Sequence, residues 1–182
     1  MRLFLAARIP EETVQSIVQT MTPIKKEYPR FQWVPEENYH LTIFFFGERP
    51  HDKLPDLIEG VNQVTFDIAQ TQLSTRSLKL FVDKGITLYA EFNRNKELET
   101  IRKRIISSIG SKKLEHHQQY IPHVTLAQYK LPSKQQYFHL KKKLTKVTFD
   151  QEFRLNEICL MQSTTQKPFP SYKHIHTFNL YS

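Results

Sequence analysis

Residues 2–8 hold a short apolar run, Leu3 to Ala7, between two arginines, after which apolar side chains return at Val14, Ile17, Val18 and Met21, the i, i+3, i+4, i+7 spacing of one helical face. The run predicts a strand, and the spacing predicts a helix opened by Pro10-Glu11-Glu12. Pro23 is expected to limit that helix, because proline has no N–H to donate and crowds the preceding turn. A second strand is predicted over residues 39–46, ended by Gly47, and a second helix from Leu54, Leu57, Ile58 and Val61. Residues 73–82 and 86–92 read as a hairpin around Asp83-Lys84-Gly85.

The same vocabulary then returns. Leu98, Ile101, Ile105 and Ile109 predict a third helix stopped by Gly110, and residues 120–129 predict a strand. Pro132-Ser133 followed by Gln136 reads as a capping box for a fourth helix with Tyr137, Leu140 and Leu144 inward. Residues 153–161 and 173–181 supply the last strands. The expected fold is α+β with antiparallel sheets, arising by internal duplication. No low-complexity linker intervenes, so a single domain over residues 1–182 is expected, with lobes of about 1–91 and 92–182 and strands open to exchange between them.

Composition narrows the class. With 182 residues, 39% of them hydrophobic, the chain can bury a sizeable core. Its single cysteine, Cys159, excludes an intramolecular disulfide and a cysteine-rich zinc module, which fits a reducing compartment. The apolar N-terminal stretch is too short for a signal sequence or membrane helix, so a cytoplasmic protein, expected to be a monomer, is the reading. Residues 1–91 carry 10 Lys and Arg against 12 Asp and Glu, whereas residues 92–182 carry 16 against 6. That basic second half points to an anionic partner such as nucleic acid, or else to a solvated face; the run Lys141-Lys142-Lys143 carries the same two readings.

The candidate chemistry lies in an echo between the two motif strands: Tyr39-His40-Leu41-Thr42 and Pro122-His123-Val124-Thr125. Side chains at i and i+2 of a strand share a face, so each segment presents an imidazole beside a hydroxyl. On composition alone, two such tripeptides also fit ordinary strand histidines. Other histidines carry less. His174 and His176 would share a strand face, but no carboxylate or cysteine stands at supporting spacing, so no metal site is expected. His116-His117 lies in a polar stretch and reads as surface. Among aromatics, Trp33 and Tyr120 are candidates to stack a base, while Phe44 and Phe46 share strand parity with His40 and either floor a cleft or pack in the core; Tyr39 also lies near the motif.

Ala6-Ala7-Arg8-Ile9-Pro10, the long segment from Trp33 through Tyr39-His40-Leu41-Thr42-Ile43-Phe44-Phe45-Phe46-Gly47, and Pro122-His123-Val124-Thr125-Leu126 resemble the hallmark segments of the two-histidine phosphoesterase superfamily. Within it they are most similar to the RNA 2′,3′-cyclic phosphodiesterases, formerly called 2′-5′ RNA ligases. The similarity runs the length of the chain, to Tyr172, Phe178 and Leu180. It implies a bilobal fold in which two similar antiparallel sheets, backed by helices, flank a central groove. It also implies that His40 is the proton donor, His123 the proton acceptor, and Thr42 and Thr125 the phosphate-binding hydroxyls. Relatives usually continue the second motif as His-x-Thr-x-x-Arg, whereas this chain has Gln128 in the place of that Arg, an amide without charge.

The residues make chemical sense independently. Opening a cyclic phosphodiester needs a base for the attacking water and an acid for the departing ribose oxygen, and two imidazoles provide both near neutral pH without a cofactor. Together with the resemblance, which implies RNA 2′,3′-cyclic phosphate ends as substrate and 2′-phosphomonoesters as product, the expected activity is metal-independent hydrolysis. The alternatives are a phosphodiesterase of the same fold acting on a small cyclic nucleotide or another phosphoester, which Gln128 leaves open, and a non-catalytic RNA-binding module of the same fold.

Overall fold

The structure is a computed structural model that describes residues 1–83, 85–109, 120–130, 133–165 and 168–182. Gly110, Pro132, Lys84 and the His116-His117 pair lie outside the described residues. The chain runs β1 (Arg2–Arg8), α1 (Glu11–Glu27), β2 (Gln32–Trp33), β3 (His40–Glu48), α2 (Leu54–Thr65), β4 (Thr71–Val82), β5 (Ile86–Phe92), α3 (Lys96–Ser108), β6 (His123–Tyr129), α4 (Lys134–Leu144), β7 (Glu152–Leu155), β8 (Glu157–Thr164) and β9 (Ser171–Asn179). Among the described residues, no helix is long and apolar enough to cross a membrane.

Two antiparallel sheets result. The first has the order β3-β1-β8-β9 and the second β2-β6-β5-β4-β7. Each sheet therefore interleaves strands from both sides of residue 91: β1 and β3 close against β8 and β9, while β4 and β5 close against β6 and β7. Helix α2 packs with β9, α3 with β3, and α4 with β4. Alternation in β1 sends Leu3, Leu5 and Ala7 into the continuous apolar core and turns Phe4 and Ala6 to the other face.

Three boundaries differ from those the pattern predicts. Helix α1 continues through Pro23 to Glu27. A proline inside a helix costs about 3 kcal/mol, and burying Ile24, 2% exposed, returns about 1.5–3 kcal/mol, with Tyr28 also buried beyond it. Strand β3 likewise passes Gly47, whose φ of 72° absorbs a bulge instead of ending the strand. The single strand expected over residues 153–161 is two. Asn156 separates them, its carbonyl accepting from Leu180 N at 2.8 Å, and the chain changes sheets there.

Capping follows the sequence more closely. Asn95 accepts from Leu98 N at the start of α3, and Ser133 with Gln136 forms the expected capping box on α4.

Candidate active site

Strands β3 and β6 approach one another where the two sheets meet, and they carry the two motifs. Both are built alike. In β3, Thr42 pairs with Ala6 and Phe44 with Leu5, leaving Ile43 as an extra residue; in β6, Thr125 pairs with Tyr89 and Ala127 with Leu88, leaving Leu126 extra. A bulge directly after the threonine shifts the later side chains by one face. His40, Thr42 and Phe45 consequently line one groove together with His123, Thr125 and Gln128. Uninterrupted alternation would have turned the fifth residue after each histidine away from it.

The imidazoles are fixed in the same way. His40 Nδ1 donates to the Asn38 carbonyl and His123 Nδ1 to the Ile121 carbonyl, each at 2.8 Å. A carbonyl can only accept, so Nδ1 holds a proton in both rings and Nε2 is left to exchange one. Aromatic rings brace each imidazole. Phe4 and Tyr172 lie 5.0 and 4.9 Å from His40, while Phe81 and Tyr89 both lie 5.4 Å from His123 and stack on each other at 3.9 Å. Burial lowers the His40 pKa most, the Asn38 carbonyl opposes that shift, and the nearby His123 lowers it further.

The bulge carbonyls need partners. On β6 the Leu126 carbonyl accepts from Val34 N at 2.9 Å, just beyond β2. Strand β3 is the edge of its sheet, and side chains do this work instead: Tyr120 Oη donates to the Thr42 carbonyl at 2.9 Å, and the Arg102 guanidinium donates to the Ile43 carbonyl. Arg102 also sits over the Tyr120 ring, 4.4 Å from its centroid. Burial pushes the Tyr120 phenol up and the Arg102 guanidinium down from their ordinary pKa values.

The family model of the 2′-5′ RNA ligase superfamily matches residues 10–167, most of the chain. This chain belongs to that superfamily. Among relatives, an RNA 2′,3′-cyclic phosphodiesterase of Thermus thermophilus is 26% identical over 188 residues, spanning 99% of this chain and 90% of its own length. A protein of the same description from Methanocaldococcus jannaschii is 26% identical over 179 residues, spanning 96% of this chain and 98% of its own. In three dimensions, a crystal structure of a Thermus thermophilus protein superposes with a TM-score of 0.78 at 25% identity, covering 99% of this chain and 98% of that one. Escherichia coli LigT in apo form shares the fold, with a TM-score of 0.76 at 16% identity, covering 100% of this chain and 98% of its own.

Within this member of the superfamily, His40, Thr42, His123, Thr125 and Gln128 meet in one groove, whereas Phe44, Phe46, Tyr120 and Trp33 do not line it. Phe44 is 4% exposed and packs on Phe46 at 5.1 Å, because the bulge at Ile43 breaks its parity with His40. Tyr120 is committed to Thr42 and Arg102, and therefore offers no stacking face to the groove. Trp33 donates its indole N–H to the Tyr28 carbonyl at 3.1 Å and lines a separate hollow with Val18, Met21 and Lys25. The His174 and His176 pair is divided by another bulge, at Ile175: His174 meets Thr177 at 2.8 Å, whereas His176 turns to the buried Phe178 at 4.8 Å. Among the described residues, no three His, Cys, Asp or Glu side chains cluster to hold a metal ion.

Sequence reasoning missed Phe45, Phe169, Phe81 and Tyr89 beside the histidines. One signal was present for Phe45. It stands five residues after His40, as Gln128 stands five after His123.

Proposed function

We propose that this protein hydrolyses 2′,3′-cyclic phosphates at RNA ends to 2′-phosphomonoesters, with His40 as proton donor and His123 as proton acceptor. The observation that carries the reading is the matched pair of imidazoles in one groove, each anchored through Nδ1. The names of the relatives support the substrate class. In the reaction, His123 Nε2 takes a proton from water as its oxygen attacks phosphorus. The P–O3′ bond breaks, and His40 Nε2 gives its proton to the departing O3′, leaving a 2′-phosphate and a 3′-hydroxyl. Thr42 and Thr125 donate to the nonbridging oxygens, where negative charge grows in the pentavalent transition state.

Electrostatics fit a pair that shares one proton. Burial and the neighbouring imidazole disfavour a charged His40 in the free protein, so the two rings do not readily carry two protons together. An anionic cyclic phosphate supplies the charge that favours protonating one of them. The assignment of donor and acceptor follows the family resemblance. We place the reaction in the cytoplasm and on a monomer.

A substrate with sulfur in place of O3′ tests the roles, because a thiolate departs without help from an acid. His40→Ala should recover most of its lost rate on that substrate, and His123→Ala should not. The reverse pattern would exchange the roles. Failure of the wild-type protein to open a cyclic-phosphate-terminated oligonucleotide, read by ³¹P NMR, would overturn the reading. Gln128, by removing a charge from the groove, favours a second reading in which small cyclic nucleotides are turned over better than long RNA. Parallel kcat/KM values for the two substrate types decide between them.

A further inference from the structure

The sheet face that carries His123 also holds charges that the reaction does not use. Residues paired directly across neighbouring strands lie on one face, and Glu91 of β5 pairs with His123 of β6 while Tyr89 of β5 pairs with Lys79 of β4. Tyr89 touches the His123 ring, so Lys79, Glu91 and His123 all face the groove. The Glu91 carboxylate is 5% exposed and is held by Lys79 Nζ at 2.6 Å and Arg76 Nη1 at 3.2 Å. A buried carboxylate is costly without partners, so Glu91 fixes both cationic heads over β5, one strand spacing, about 5 Å, from the strand of His123. Two cations against one carboxylate leave a positive charge there, and both side chains stay about half exposed. Strand β7 pairs with β4 only as far as Ser74, and past that point a hollow opens between the free edge of β4 and α4. Arg76, Lys79 and Lys141 line it, with no carboxylate among its described residues. The hollow beside His40 differs, because Arg8 shares it with Glu11, Glu36 and Glu37.

Resting on the cyclic phosphodiesterase reading, we propose that Arg76 and Lys79 bind the phosphodiester immediately upstream of the cyclic phosphate, and that the RNA strand leaves the groove over the free edge of β4 toward Lys141. The substrate is then an oligonucleotide end in preference to a free cyclic nucleotide. In such an end the terminal ribose joins the cyclic phosphate to a 5′ phosphodiester, so a second anion must lie within one nucleotide of His40 and His123. On the His123 side that anion meets cations, whereas on the His40 side it would meet three carboxylates, and like charges repel. Contacts to phosphate carry no base information, so the track accepts any sequence. Of the run Lys141-Lys142-Lys143, Lys141 lines this track and Lys143 is taken up by Glu27.

The dinucleotide ApA ending in a 2′,3′-cyclic phosphate tests this when its internal linkage is either the native phosphodiester or a neutral methylphosphonate. Wild type should favour the native linkage in kcat/KM by about 5-fold, what one half-exposed ion pair supplies, and the preference should shrink as salt rises. Replacing Arg76 and Lys79 alone would strand the Glu91 carboxylate, so the test variant joins Arg76→Gln and Lys79→Gln to Glu91→Gln. Its ratio for the two linkages should fall to about 1, with the folded state checked by circular dichroism. Glu91→Gln alone keeps both cations and should hold the ratio at or above the wild-type value. A fall there as large as in the triple variant would make the carboxylate the cause and overturn the track. Equal kcat/KM for the two linkages in wild type, or an unchanged preference in the triple variant, would overturn it while leaving the hydrolase reading intact. A preference lost in Arg8→Gln and kept in the triple variant would send the strand past His40 and overturn it too. If neither compound is turned over, the hydrolase reading falls by itself, and calorimetric binding of the two dinucleotides as 2′-phosphates decides the track. Tighter binding of the native linkage that the triple variant abolishes sustains it, and equal affinities overturn it.

Discussion

At the scale of single residues, the groove depends on two rings that must hold opposite protonation states. His40→Ala and His123→Ala should each lower kcat/KM by about 10²–10⁴-fold, and the double variant should be little worse than the poorer single one, because both act in one transition state. Thr42→Ala should cost about 10²-fold, since its hydroxyl is one of several donors. Activity should persist in EDTA, and its loss there with recovery on adding a divalent ion would end the proposed mechanism. The lowered pKa of His40 has a sign that NMR can read. Its imidazole resonance should titrate below the ordinary value of about 6.5, and His123→Ala should move the midpoint up by removing a like charge. Because the unfolded chain then binds the proton more strongly, this residue's contribution to stability is present above pH 6.5 or so and is lost as the pH falls through the folded value.

At the scale of elements, the bulges decide what the strands present. An edge strand cannot satisfy a bulge carbonyl from a neighbouring strand on its open side, and β3 uses Tyr120 and Arg102 for that purpose. Tyr120→Phe keeps the ring under Arg102 and removes the hydroxyl. It should lower stability by about 0.5–1.5 kcal/mol in urea unfolding, plus the penalty of a less satisfied Thr42 carbonyl, and lower kcat more than it raises KM. A wild-type kcat in Tyr120→Phe would show that the hydroxyl does not position Thr42. The divided His174 and His176 pair follows the same rule. One extra residue in a strand undoes a motif whose parity looks sound in sequence.

At the scale of the whole molecule, the exchange of strands binds the two halves of the chain into one core. Neither half contains a complete sheet, so far-UV circular dichroism and Trp33 fluorescence should report one shared thermal transition. Charge also acts at this scale. If the basic second half guides RNA, affinity for a long cyclic-phosphate oligonucleotide should fall steeply with salt, while a dinucleotide should respond weakly, since each phosphate contact releases counterions. Equal slopes would identify the basic surface as merely solvated. Part of it is already engaged, because Lys143 of α4 pairs with Glu27 at the end of α1.

The local code of this chain was legible wherever neighbours in sequence decide the outcome. Strand β1, the amphipathic faces of the helices, the capping box at Ser133 and the two His-x-Thr pairs depend on spacing and on local hydrogen bonds, and the family resemblance added the groove that unites the pairs. Residues Phe44, Trp33 and Tyr120 were misplaced because their surroundings come from elsewhere in the chain. The bulge at Ile43 exists only in register with β1, the hydroxyl of Tyr120 finds Thr42 across 78 positions, and Trp33 is held by the Tyr28 carbonyl at the end of α1. The order of residues suffices to say which chemical groups the strands carry and which periodicity each element has. Which faces those groups occupy after each bulge follows from the folded sheets alone, because strand register is fixed by pairing partners that a linear pattern does not contain.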